Sequence, residues 1–181
     1  MSDLTTPRRF VDAEYPAELT GAALGEWLAA ELGDLIRTCD GLFTATGRAG
    51  ATESVDFWSE VTDRGARLAN PRIFPWTLAS APSGHLAMTC DVRGPVIGFV
   101  GGADATDAAI ESAIDHLDDQ IVERAAVVAF DRVRGRTVAA ALVVDALVAD
   151  TPGRVICGAG DAIAPSRLTA VHGRSWARRI A

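Results

Sequence analysis

The side chains able to act as thiolate nucleophile, imidazole base, or thiolate or imidazole metal ligand are few. They are Cys39, Cys90 and Cys157, with His85, His116 and His172. No histidine lies within four residues of another histidine or of a cysteine, so local metal-ligand spacing is absent. Neither a metal nor a cofactor is expected. An odd number of widely spaced cysteines fits neither a disulfide framework nor a CxxC site. Cys90 and His85 invite a nucleophile-base reading, but positions five apart on a helix project about 140° from each other. Cys90 therefore reads as a buried thiol, since free cysteine behaves as a small hydrophobe. Cys157 ends an apolar strand-like run before Gly158-Ala159-Gly160-Asp161 and reads the same way. Cys39 falls at a helix end with no base beside it, and His172 falls in an exposed tail.

Two further patterns carry possible chemistry. Gly94-Pro95-Val96-Ile97-Gly98-Phe99-Val100-Gly101-Gly102 reads as strand and glycine turn before a helix, a geometry that can bind an anion or activate a nucleophile. The residues at the critical place are Ala103 and Asp104, which supply no nucleophile, and the aspartate would repel phosphate. The spacing is not GxGxxG. Arg132, Arg134 and Arg136 alternate, so in an extended segment all three would share one face and could meet a carboxylate or phosphate. The simpler account of that stripe is a solvated edge or loop. Trp76, after Phe74-Pro75, could gate an apolar pocket or serve as a hydrophobic plug.

These residues must be positioned by a chain of 181 residues, which suits one domain. At 49% hydrophobic and 23% charged residues, disordered and coiled-coil architectures are disfavoured. The net charge of −7 argues against a general nucleic-acid binder. The longest apolar runs, such as Val138 to Val144, are far below the roughly 20 residues of a membrane span. The N-terminus MSDLTTPRRF has no apolar h-region, so a cytoplasmic location is expected.

Residues 1–19 read as a polar, irregular N-terminal arm, residues 20–164 as the domain, and residues 165–181 as a basic tail. Leu24, Trp27, Leu28, Leu32, Leu35 and Ile36 recur at helical spacing, predicting an amphipathic helix to about Thr38. Further helices are predicted over 52–67, over 85–91 and from Thr106 or Asp107 to about Arg124. Strands are predicted over 41–47, 96–100, 125–130, 137–144 and 154–157, and the two prolines of 70–77 require a loop. The alternation implies an α/β domain with helices layered around a mixed five-stranded sheet.

One stretch is more specific. Asn70-Pro71-Arg72-Ile73-Phe74-Pro75-Trp76-Thr77, then Gly84-His85-Leu86-Ala87, then Val92-Arg93-Gly94-Pro95, resembles the β-ketoacyl synthase family. There N-P-x-x-F-P-x-T, G-H-x-A and L-R-G-P elements occur in this order and spacing. Looser similarity extends from Gly41 to Gly47, from Ala126 to Asp131 and from Thr137 to Val144, without the long segment that the family has between the last two, so the resemblance covers roughly residues 20–160. It implies the N-terminal half of a thiolase-like fold. The family's nucleophilic cysteine opens the helix after the G-P strand, where this chain has Ala103 and Asp104. The family's two catalytic histidines and lysine belong to a C-terminal half, and this chain contains no lysine.

The resemblance thus implies a truncated, catalytically inactive ketosynthase-like protein of bacterial polyketide or fatty-acid assembly, similar to a chain-length factor. Its expected partner is a second copy or a ketosynthase-like protein, joined through Val96, Ile97, Gly98, Phe99 and Val100, the strand that pairs across the family's dimer axis. An acyl-chain or acyl-carrier-protein binder, with Arg132, Arg134 and Arg136 as the contact, is the alternative. A small acyltransferase using Cys90 or Cys157 is a third reading. No contact with nucleic acid or membrane is expected.

Overall fold

The computed structural model describes residues 10–101 and 104–145. In chain order the elements are β1 (Phe10–Tyr15), α1 (Gly21–Ile36), β2 (Gly41–Thr46) and α2 (Ala51–Arg64), then a 3-10 turn (Phe74–Thr77) and α3 (Ala81–Thr89). After these come β3 (Val96–Val100), α4 (Asp104–Asp118), β4 (Arg124–Val133) and β5 (Arg136–Asp145). The strands form one mixed five-stranded sheet in the order β1-β5-β4-β2-β3. β2 is parallel to both β3 and β4, whereas β5 is antiparallel to both β4 and β1.

Alternation along the strands divides the core into two halves. Leu42, Ala126, Val128, Phe130, Ala139 and Ala141 face α1 and α3, meeting Leu28, Leu32, Ile36 and Leu86. Phe43, Ala45, Val127, Ala129 and Leu142 face α4, meeting Ala105, Ala109, Ala113 and Leu117. The small residues of α4 let that helix lie close to the sheet. The inner strands β2, β4 and β5 are therefore buried on both faces, which explains why they read as mostly apolar runs rather than as strict alternation.

Two turns set the frame. β4 and β5 join through Arg134 and Gly135, both at positive φ (53° and 78°), the two-residue turn that matches strand twist. Gly94 precedes β3 where a Cβ would lie 2.2 Å from the Asp40 carbonyl oxygen, so only glycine fits. Its N–H donates to that same oxygen at 3.0 Å.

The architecture matches the expected layers, with two corrections. The helix expected to run to about Arg124 ends at Asp118, and Arg124 opens β4. Residues 1–19 do not form an irregular arm throughout, because Phe10–Tyr15 is a sheet strand paired with Thr137 to Leu142. The predicted strand at 154–157 and the tail at 165–181 lie outside the described residues. The predicted loop at 70–77 contains the 3-10 turn, closed by a Thr77 hydroxyl that donates to the Phe74 carbonyl at 2.7 Å.

Candidate functional site at the free edge of the sheet

β3 is the outermost strand on one side, and among the described residues it pairs only with β2, from Leu42↔Val96 to Thr46↔Val100. Its ends are pinned. Leu42 N–H donates to the Pro95 carbonyl at 2.9 Å, and Gly101 N–H donates to the Thr46 carbonyl at 3.1 Å. Ile97 and Phe99 point into the α4 half of the core and anchor the strand. Val96, Gly98 and Val100 point to the opposite face, where Val96 is 40% and Val100 61% exposed. Beneath Gly98 the Thr44 and Ser83 hydroxyls are buried and bonded to each other. A Cβ on Gly98 would sit 3.4 Å from the Thr44 hydroxyl oxygen. The result is a pinned edge strand with an apolar outer face and one backbone edge that no described strand covers. Such an edge is an aggregation hazard unless another strand meets it.

At the position where a nucleophile would open the next helix, Asp104 is the first residue of α4 and is exposed. Ala103 lies outside the described residues, and its side chain is a methyl group. The described thiols are protected. Cys39 is buried, and desolvation pushes its pKa up to about 11 despite the Thr38 hydroxyl beside it. Cys90 closes α3, is buried, and is likewise raised by desolvation. A raised thiol is a poor nucleophile at neutral pH. His85 does not serve Cys90. It packs against Trp76 with ring centroids 5.7 Å apart, and a Cβ on Gly25 would come within 2.7 Å of its ring. Trp76 itself lies over Gly21, so its role is a plug between α1 and the 3-10 turn. Cys157 and His172 lie outside the described residues. Among the described residues no group of His, Cys, Asp and Glu could hold a metal ion. No described helix is long and apolar enough to cross a membrane.

The three arginines do not share a face. Arg132 is buried, and both its Nη2–Glu53 distances are 3.0 Å. Arg134 sits in the hairpin turn at positive φ, and Arg136 opens β5 and bonds the Glu14 carboxylate. The expected stripe fails because the turn interrupts the extended run and because Arg132 lies opposite a buried acid. Glu53 was not legible as a site residue. Its partner is 79 positions away and leaves no local signature.

The motif residues turn out to hold the scaffold. The Asn70 side chain accepts from Arg72 N–H at 3.0 Å, starting the loop as an Asx turn. Gly94 admits the Asp40 carbonyl, and His85 packs α3 onto α1.

No family model and no curated protein matches the chain. Solved structures do. One is a ketosynthase in complex with its chain length factor from Xenorhabdus doucetiae, with TM-score 0.60, 12% identity and 79% of both chains covered. Equal shares imply that the matched chain is of similar length to this one. Another is the ishigamide ketosynthase/chain length factor, with TM-score 0.55 and 14% identity. It covers 62% of this chain, which spans only 37% of that one. At such identities the likeness is one of fold. The chain has the thiolase-like α/β fold of the ketosynthases and chain length factors.

Proposed function

We propose that this protein is a catalytically inactive, ketosynthase-like accessory protein of bacterial polyketide or fatty-acid assembly. It acts by joining a ketosynthase-like partner through β3. The observation that carries this reading is the pinned edge strand, with Val96 and Val100 exposed while Ile97 and Phe99 anchor it. Apolar exposure on a fixed edge favours a second strand there, which would bury the valines and pair the outward backbone groups. The likeness to a ketosynthase that is complexed with its chain length factor, with a matched chain of this length, supports a heteromeric partner over a second copy. Inactivity is supported by Ala103 and Asp104 standing where a cysteine would be needed, and by the raised thiols of Cys39 and Cys90. Decarboxylative condensation needs a nucleophile to hold the acyl group.

The test uses Val100→Asp, because Val100 is exposed and its change leaves the anchors intact. Sedimentation would be measured alone and with a ketosynthase from the same organism. Wild type is expected to sediment as a complex and the variant as a monomer. A wild-type chain that stays monomeric both alone and with the ketosynthase overturns the proposal. A complex that Val100→Asp leaves intact overturns β3 as its interface. A stable wild-type homodimer that excludes the ketosynthase redirects the function to self-association. Among the described residues Arg132, Arg134 and Arg136 form no common face, so the carrier-protein reading draws no support from that stripe.

A further inference from the structure

α2 is held to the molecule in an unusual manner. Its one fully buried residue is a glutamate, Glu53. The apolar residues Val55 and Trp58 are 69% and 67% exposed, and its main packing partner is the 3-10 turn, where Phe57 leans on Phe74. Glycines at positive φ bound it at both ends, Gly50 at 79° and Gly65 at 82°. Gly65 has open space around it, whereas Gly50 lies against the Thr77 carbonyl.

The attachment to the core is polar. Both Glu53 oxygens accept from Arg132 of β4 at 3.0 Å, and Oε1 also accepts the Gly21 N–H of α1 at 2.7 Å. Arg132 Nη1 donates to the Thr52 hydroxyl in the first turn of α2. One carboxylate therefore joins three elements, and it satisfies a backbone donor at the start of α1 that would otherwise lack an intrahelical acceptor. We propose that the Glu53–Arg132 pair is a latch, and that α2 opens and closes as a unit when this pair breaks and forms while the sheet and α1 stay folded. Little buried apolar surface resists the opening. Ser54 Oγ donates to the Thr77 carbonyl and Glu60 accepts the Asn70 N–H, but both tie α2 to the following loop, so its hold on β4 and α1 rests on the pair. A buried pair is sensitive to loss of one partner, because the remaining charge is stranded. Here the helix can relieve that by swinging out at the two glycines. Local openings of this kind draw on elements with few buried apolar contacts.

Amide hydrogen exchange on the full-length chain tests this, with α2 amides 54–64 compared against those of α1 and β4. In wild type the α2 amides are expected to be protected, yet to exchange through an opening of smaller denaturant dependence than the core amides. In Glu53→Gln the amide NH2 would face guanidinium donors, and α2 exchange is expected to rise about tenfold or more while α1 and β4 are unchanged. Wild-type α2 amides that exchange only with global unfolding overturn the latch. So do α2 amides with no protection at all. Should Glu53→Gln fail to fold, the wild-type denaturant series alone decides.

Discussion

Gly94 and Cys39 show how single atoms constrain this fold. At Gly94 the neighbour a Cβ would strike is backbone, the Asp40 carbonyl at 2.2 Å, and backbone cannot rotate away. Gly94→Ala is expected to cost about 3 kcal/mol or more, read as a lowered midpoint in urea unfolding. Gly25 is a gentler case, since the obstacle is the His85 ring. Cys39 sets an alkaline limit. Burial pushes its pKa in the fold up to about 11, above the 9.0 of a solvated thiol, so the native state holds the proton more tightly. The stabilisation is complete below pH 9.0 and is lost as pH rises toward about 11. A shift of this size is worth roughly 2–3 kcal/mol. Unfolding free energy followed from pH 8 to about 11 should fall less steeply in Cys39→Ala than in wild type. Equal slopes would mean that the thiol is solvated in the fold.

At the scale of elements, the β4–β5 hairpin and β3 differ in what their turns demand. Arg134 occupies a left-handed position with φ 53°, which asparagine tolerates better than arginine. Arg134→Asn is expected to stabilise the protein by about 0.5 kcal/mol, seen as a small rise in Tm. A fall would mean that Arg134 makes a stabilising contact through its side chain. Arg136 opens β5 with its side chain 60% exposed beside Glu14, and a pair this open to water contributes little. Arg136→Ala should move the urea midpoint only slightly, whereas Arg132→Met, which strands buried Glu53, should loosen α2 selectively. A uniform loss across the molecule after Arg132→Met would contradict the division between α2 and the sheet.

For the whole molecule, the two cores on either side of the sheet leave β3 as the exposed outer strand of its side, and the apolar outer face there is what a partner would cover. The same layering buries Cys39 and Cys90, so acyl transfer to them should be absent. Peptide mapping after incubation with acyl-coenzyme A and acyl-carrier thioesters is expected to find no acyl adduct on Cys39 or Cys90. An adduct on either thiol would mean that the site opens to an acyl thioester in solution and would count against the proposed inactivity.

Much of this was legible from residue order. Val96–Val100 is observed with the predicted bounds, and the N-P-x-x-F-P, G-H-x-A and R-G-P elements point to the thiolase-like fold that the chain has in common with the solved structures. Periodicity reports which side of one element is buried, and turn residues report backbone angles, and both are local. β1 also carried a local signal, since Val11, Ala13 and Tyr15 alternate with Asp12 and Glu14, but its partner β5 lies more than 120 positions away. What the tertiary structure alone decided was pairing at a distance: that Arg132 meets Glu53 across 79 positions, and that β3 takes the outer place in the sheet. Neither leaves a trace in nearby residues, because a buried ion pair or a strand order is a property of two segments brought together, and the chain between them carries no record of the meeting.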